Sequence, residues 1–243
     1  MSGRLVLVGT PIGNLGDLSP RAREALDAAD GWIVEDTRVS GKLQSAMGLR
    51  KPMRVLNEHT SEAKIEAYVR EIAAGAALAL LTDAGMPAIS DPGALIVDAC
   101  RNQGLDVDVV PGPSAVSTAL ALSGFFAQRY AFLGFPPRKA SAAQALFAEF
   151  AESPLTLVCF ESCHRIEPTV LAAGRALGSR RFAVCRELTK LHQQVVRRSL
   201  PEVPTEQEMP RRGEFTLVIE GLRRTKTLPE GVQSDEGDTD SFR

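Results

Sequence analysis

Ala77-Leu-Ala-Leu-Leu81 runs directly into Thr82-Asp-Ala-Gly-Met-Pro-Ala-Ile-Ser-Asp-Pro-Gly93, and this change of texture decides the fold. An unbroken apolar run of this length, bounded by turn residues, reads as a strand buried on both faces. The next twelve residues hold two Asp, two Gly and two Pro, which makes them a long turn-rich loop. Residues 94–103 then read as a helix stopped by Gly104, and residues 107–110 as another apolar strand. Strand, loop, helix and strand in that order form a parallel crossover unit.

Working outward, the same alternation fills the first half of the chain. Residues 4–8 read as a strand, and a Gly/Pro loop follows at 9–17. Ser19 and Pro20 then open a helix, as N-cap and first helical residue. Short strands are expected at 32–34 and 54–56, with helices at 39–47 and 61–74, closed near Gly48 and Gly75. Downstream, Pro111-Gly-Pro113 interrupts the pattern before a helix at 114–122. Beyond Phe125, strands are expected at 130–134, 156–160 and 182–186, with helices at 140–152 and 167–177. Residues 194–199 and 215–220 are strand-like with no helix between them, which predicts an antiparallel portion. The fold class is therefore α/β with two α/β domains, the N-terminal sheet mostly parallel and the C-terminal sheet mixed. The division expected is a Rossmann-like domain over 1–115, a second domain over 116–225, and an acidic, disordered tail over 226–243.

Of the 243 residues, 44% are apolar and 24% charged, which suits a soluble protein with a full-sized core. No apolar run approaches the roughly 20 residues needed to span a bilayer, and residues 1–9 lack the features of a secretory signal. The four cysteines, Cys100, Cys159, Cys163 and Cys185, are then expected to be reduced thiols in a cytoplasmic protein. Net charge is -2, yet from Leu228 onward five acids face a single Arg, which leaves the body at +2. Basic pairs such as Arg138-Lys139 and Arg197-Arg198 permit a nucleic-acid partner without requiring one.

Three loops follow expected strands and are rich in Gly and Pro: residues 9–16, 82–93 and 111–115. In open α/β sheets, ligands bind beyond the carboxyl ends of strands, where such loops gather. The first, G-x-P-x-G-x-x-G, imitates a dinucleotide fingerprint but puts Pro where that motif needs flexible backbone. Loop 82–93 reads either as an elaborate turn or as a ligand loop. Glu35-Asp-Thr-Arg38 is either a charged helix start or a set of ribose and phosphate contacts. Cys159, Cys163 and His164 have no second close ligand pair, so no metal site is expected. There is no G-x-S-x-G elbow and no Walker lysine.

Nine blocks in order carry a closer resemblance. They are V-G-T-P-I-G-N-L-G-D-L (8–18), E-D-T-R (35–38), N-E-H (57–59), T-D-A-G-M-P-A-I-S-D-P-G (82–93) and P-G-P-S-A (111–115). The set continues with G-F-P-P-R-K (134–139), F-E-S-C-H-R (160–165), R-E-L-T-K-L-H (186–192) and G-E-F-T-L-V-I-E-G (213–221). Over residues 4–222 the chain resembles the small-subunit ribosomal RNA methyltransferases of the tetrapyrrole methylase superfamily. The resemblance implies S-adenosylmethionine bound between two domains, a homodimer, and 2'-O-methylation of a cytidine ribose in the decoding region of 16S rRNA, with the rRNA met within the 30S subunit. The cofactor residues it implies are Pro11, Asp83, Ala84, Gly85, Met86, Ile89, Pro113, Ser114 and Ala115. From the second half it adds Phe160, Glu161, Glu187, Leu188, Phe215 and Thr216. The chain departs from the family pattern at Met86, where Thr is usual, and at Cys163, where Pro is usual. An acidic tail also stands where the family commonly continues into a small helical region.

Methyl transfer to a ribose hydroxyl calls for in-line positioning and a proton acceptor. Charge and loop position nominate Glu35, Asp36 and His59 as catalytic groups. Arg38, Arg138, Lys139, Arg165 and Lys190 are nominated as holders of RNA phosphates. The competing readings are a tetrapyrrole or diphthine methyltransferase of the same fold, a non-catalytic ribosome-assembly factor, and more distantly an NAD-dependent oxidoreductase.

Overall fold

In a computed structural model, which describes residues 3–90 and 92–223, the apolar strand residues of the first half divide between two faces of one sheet. Its strands are β1 (Arg4–Val8), β2 (Gly31–Val34), β3 (Met53–Val55), β4 (Ala77–Leu80) and β5 (Asp106–Val110). They are all parallel, in the order β3-β2-β4-β1-β5. Helices α1 (Pro20–Ala28) and α2 (Thr37–Met47) cover one face, packing on Val6, Val8, Trp32, Val34 and Ala79. Helices α3 (Glu62–Ala73) and α4 (Ala94–Asn102) cover the other, on Leu5, Ile33, Leu78 and Leu80. The period of two along each strand thus feeds both faces, as the continuous apolar runs require.

The chain first winds outward, from β1 to β2 to β3, and then returns through β4 to β5. That reversal puts the helices following β1 and β4 on opposite faces, and it opens a crevice at their shared carboxyl edge. Local signals act as the sequence implies. The Ser19 hydroxyl accepts from the Ala22 amide at 3.1 Å, and Gly48 closes α2 at φ 71°. Trp32 is fully buried, and its indole N–H is satisfied by the Leu26 carbonyl at 2.9 Å.

Helix α5 (Ala115–Ser123) leads to a second sheet of β6 (Tyr130–Phe132), β7 (Thr156–Ser162), β8 (Arg181–Arg186), β9 (Gln194–Ser199) and β10 (Glu214–Ile219). Its order is β6-β7-β10-β8-β9, parallel only between β6 and β7. The mixed sheet expected from the sequence is present. Helices α6 (Ala140–Ala148) and α7 (Ile166–Leu177) pack on one face around Phe147, Val170, Phe182 and Leu217. The other face receives α5 through Val116, Ala119 and Leu120, joined by Ile12 from the loop after β1. Ile12 and Leu188 share that apolar cluster, so the loops of the first sheet are anchored to the second.

Helix α6 ends at Ala148, short of the expected residue 152, because the chain tightens there: the Phe150 and Ala151 amides donate to the carbonyls three residues back, at 3.0 and 3.1 Å, and Arg180 donates to the Phe150 and Ala151 carbonyls beyond. Cys100, Cys159 and Cys185 are buried thiols, and burial raises all three, Cys185 to about 12. Among the described residues, no helix is long and apolar enough to cross a membrane. The tail over 226–243 lies outside the described residues.

Candidate active site

The three Gly/Pro loops meet because glycine lets their backbones touch. The Gly9 amide donates to the Val110 carbonyl at 2.9 Å, and a Cβ on Gly9 would lie 2.5 Å from the Gly112 nitrogen. Thr10 and Gly85 form a two-residue antiparallel bridge, with N–H to carbonyl distances of 2.9 and 3.2 Å. Loop 82–93 is thereby pinned to the loop after β1, next to the start of α5. Met86 fills the remaining gap, its thioether accepting from the Gly112 amide at 3.3 Å. The departure from the family's usual Thr is therefore a packing group at the junction of all three loops.

From the second sheet, residues 187–190 close over this junction. Gly13 fits against Leu188, Thr189 and Lys190, where a Cβ would come within 2.3 Å of the lysine side chain. Glu187 and Thr189 both sit at positive φ, 51° and 64°, a costly conformation for residues with side chains. The Thr189 hydroxyl is buried and has no hydrogen-bond partner among the described residues. Thr189 as a residue lines a cleft of about 430 Å³, with Asp17, Pro111, Gly112, Pro113 and Thr118. A second cleft of about 380 Å³ lies on the other side of the junction, between Thr10–Leu15 side chains, α2, Thr82, Asp83, Ala84, Lys190 and Glu214.

Three acids gather at the carboxyl ends of β2 and β4. Asp36 caps α2, accepting from the Arg38 amide at 2.8 Å, and its carboxylate also takes the Arg38 guanidinium. That hydrogen bond from Arg38 is the main reason its carboxyl is held down to about 2. Glu35 accepts from the Thr82 hydroxyl at 2.9 Å. Asp83 accepts from the Asp36 amide at 3.3 Å. Burial, and then the neighbouring Glu35, push the Asp83 carboxyl above its ordinary range. Of the nominated catalytic groups, Glu35 and Asp36 are thus brought together beside Asp83. His59 is exposed after the edge strand β3, and its amide donates to its neighbour Asn57; the structure places it among neither cleft's lining residues.

The implied cofactor residues divide by how they face the junction. Pro11, Asp83, Ala84, Gly85 and Met86 lie on the two touching loops, and Pro113, Ser114 and Ala115 open α5. Ile89 is half exposed on the same loop. Phe160 and Thr216 point to the α5 side of the second sheet, Phe160 packing edge-on against Phe132 with ring centres 4.9 Å apart. Leu188 belongs to the shared apolar cluster. Phe215 turns the opposite way, into the core under α6 and α7. Glu161 also turns inward, where Thr169, the Ser162 amide and Arg165 satisfy its carboxylate. The structure places those two side chains away from the junction, among neither cleft's lining residues.

Most of the nominated phosphate holders are already engaged. Lys190 bridges Glu187 at 2.9 Å and Glu214 at 2.8 Å. Burial opposes its charge, but the two carboxylates override this and raise its pKa. Arg165 pairs with Glu161 at 3.2 Å and donates to the carbonyls of Pro136 and Pro137, which fixes the loop that carries Arg138 and Lys139. Arg38 is exposed but tied to Asp36. Arg138 and Lys139 are exposed and form no ion pair among the described residues. Thr10, Thr82, Thr189 and Glu214 all lie inside the quoted blocks but are assigned no role there, and the positive φ of Thr189 leaves no mark on the sequence.

Residues 4–204 match the tetrapyrrole (corrin/porphyrin) methylases as a family. The chain belongs to the tetrapyrrole methylase family. A relative from Xylella fastidiosa called ribosomal RNA small subunit methyltransferase I is 40% identical over 90% of this chain and 82% of its own length. A Mycobacterium tuberculosis protein with the same name is 44% identical over 90% of this chain and 78% of its own. The resemblance carried by the nine blocks is therefore borne out. Among solved structures, the methyltransferase CobJ superposes with a TM-score of 0.68, covering 92% of this chain and 97% of its own, at 14% identity. At that identity the likeness concerns the fold alone, and it agrees with two α/β sheets joined by α5.

Proposed function

We propose that this family member transfers the methyl group of S-adenosylmethionine to the 2'-oxygen of a cytidine ribose in the decoding region of 16S rRNA. The observation that carries the reading is the identity of 40 and 44%, along about 90% of the chain, to proteins named for methylating small-subunit ribosomal RNA. The cytidine 2'-oxygen and the decoding region rest on the resemblance of the motif blocks. We further propose a cytoplasmic homodimer acting on the 30S subunit, with domains divided near residue 115.

The residues at the junction suit the cofactor. S-adenosylmethionine supplies an activated sulfonium methyl, a carboxylate, an ammonium and a ribose diol. The first-turn amides of α5 lack a side-chain cap and offer donors to a carboxylate. Thr189, whose hydroxyl has no partner among the described residues, lines a cleft of suitable size. Gly9, Gly85 and Gly112 allow backbone to approach a ligand without Cβ atoms.

The chain's own task is to hold the ribose oxygen in line and accept its proton. Asp83 is the acid best suited to accept it, because burial and Glu35 raise its basicity whereas Arg38 weakens Asp36. Glu35 and Asp36 then act as positioning groups, through the Thr82 hydroxyl and the Asp36 amide. Arg138 and Lys139, exposed and without an ion pair among the described residues, remain the best phosphate contacts of the five nominated.

The test is transfer of labelled methyl from S-adenosylmethionine to 30S subunits lacking the modification, with naked 16S rRNA and total tRNA alongside. Label on a cytidine ribose of the 30S particle is expected. Cofactor binding without label on any RNA would move the acceptor to another class of molecule.

A further inference from the structure

Phe125 and Phe126 follow α5 at the end of the second sheet remote from both clefts. The Thr156 hydroxyl, at the start of β7, donates to the Phe126 carbonyl at 2.6 Å, whereas Phe160 stands near the cleft end of the same strand. Four strand steps separate them, about 13 Å. Around the two rings the sheet gathers arginines. The guanidinium carbons of Arg197 and Arg181 lie 4.9 and 5.3 Å from the Phe125 ring centre, and that of Arg223 lies 4.8 Å from Phe126. Arg181 and Arg223 both converge on the Glu220 carboxylate, at 2.6 and 3.0 Å. These contacts make one continuous strip of three guanidiniums and two aromatic rings against a single carboxylate.

We propose that this strip is a second RNA contact, holding phosphates and stacking a base of the rRNA segment that extends from the nucleotide in the cleft. The inference rests on the ribosomal RNA reading above. Its chemistry fits RNA on two counts. Arg197, which forms no ion pair among the described residues, and Arg223, which gives only its Nε to Glu220, keep terminal N–H groups for phosphate oxygens, whereas Arg181 is held by Glu220 through two nitrogens. Phe126, 52% exposed, adds a stacking surface that tolerates any base. A second copy of the chain is a poor occupant, because a twofold contact would set a net positive strip against itself.

The experiment uses the full chain and the 30S acceptor, with Arg197→Glu/Arg223→Glu and, separately, Phe126→Ala. The milder Arg197→Gln/Arg223→Gln guards against a folding defect in the charge reversal. The expected result is a KM for 30S subunits raised tenfold or more in the charge-reversed variant, with kcat within about twofold and S-adenosylmethionine affinity unchanged. The salt dependence of 16S rRNA binding should also weaken, the slope falling by about 1.4 for two lost single-strand phosphate contacts. An unchanged KM and salt slope in a variant whose parent methylates 30S subunits would overturn the strip and leave the acceptor reading standing. So would loss of a dimer in sedimentation, which would make the strip a subunit contact. A parent that labels no RNA would remove both readings together.

Discussion

Replacing Gly112 with Ala tests whether the cleft is built by backbone contact between the ends of β1 and β5. A Cβ at Gly112 would sit 2.7 Å from the Cα, carbonyl carbon and carbonyl oxygen of Gly9. None of these atoms can rotate aside. Restoring ordinary contact near 3.4 Å requires about 0.7 Å of separation between the two loops. That movement strains the hydrogen bond from the Gly9 amide to Val110 and the Met86 thioether contact with the Gly112 amide. Overpacking of this kind costs about 1–3 kcal/mol, which for a chain of this size lowers the midpoint of thermal unfolding by roughly 3–10 °C. Because the same displacement moves the start of α5, calorimetric affinity for S-adenosylmethionine should fall about tenfold, equivalent to ~1.4 kcal/mol. Gly41→Ala is the matched control. It lies inside α2 with nothing within 4 Å of the added carbon, so it should stabilise by about 0.5–1 kcal/mol and leave affinity alone. Gly112→Ala with parental melting and parental affinity would refute the contact between the loops and the site built on it.

Asp83→Asn should abolish most turnover while raising the unfolding midpoint at pH 7. The folded protein holds this carboxyl above its ordinary value, so its contribution to stability is present in acid and lost as pH rises; the variant's advantage should vanish below about pH 4. Asp36→Asn keeps the helix cap and should reduce turnover less than Asp83→Asn in the same assay; the reverse order would make Asp36 the proton acceptor. Lys190→Met leaves Glu187 and Glu214 facing each other. Glu187 is held below its ordinary range, despite burial, by the Glu214 amide and Lys190, so the loss in urea denaturation should be larger at pH 7 than at pH 4. Thr189→Val removes a hydroxyl that has no partner, so thermal stability should hold or rise while cofactor affinity falls about tenfold, as for a lost polar ligand contact. Unchanged affinity would remove Thr189 from the site.

The fold was legible because most of its signals are local. The run at residues 77–81 marks a strand buried on both faces, which alternation with helices makes parallel, and Ser19-Pro20 sets a helix start that depends on no distant partner. The element that escaped was the end of α6, where the Phe150 and Ala151 amides bond three residues back and end the α-helix at Ala148, a tightening with no mark in the sequence. The meeting of loops 9–18, 82–93 and 111–115 was legible in outline, since all three follow strands of one parallel sheet. Its closeness was not, because glycine spacing gives no hint that Gly9 and Gly112 touch each other.

Charge is where sequence reading and structure diverge most, and the reason is physical. A lysine or arginine in a conserved-looking polar block reads as a phosphate holder only while its partners are unknown. Lys190 meets one acid three residues away and another twenty-four residues away, and the distant one, Glu214, arrives only because β10 lies beside β8. Arg165, at the start of α7, likewise meets Glu161 four residues back at the end of β7 but takes the Pro136 and Pro137 carbonyls from the loop after β6. Each such pairing removes a cation from the RNA-facing inventory and turns it into a fixture that orients a loop. Arg197 shows the converse, and so in part do Arg181 and Arg223, which share Glu220 yet keep terminal nitrogens outside it. They are scattered over more than forty residues of sequence, and they become one strip only when antiparallel pairing of β8 with β9 and β10 brings them around Phe125 and Phe126. If RNA follows that strip, the groups that recognise it are set by sheet register, and a one-residue slip of β9 against β8 would turn Arg197 away from its ring.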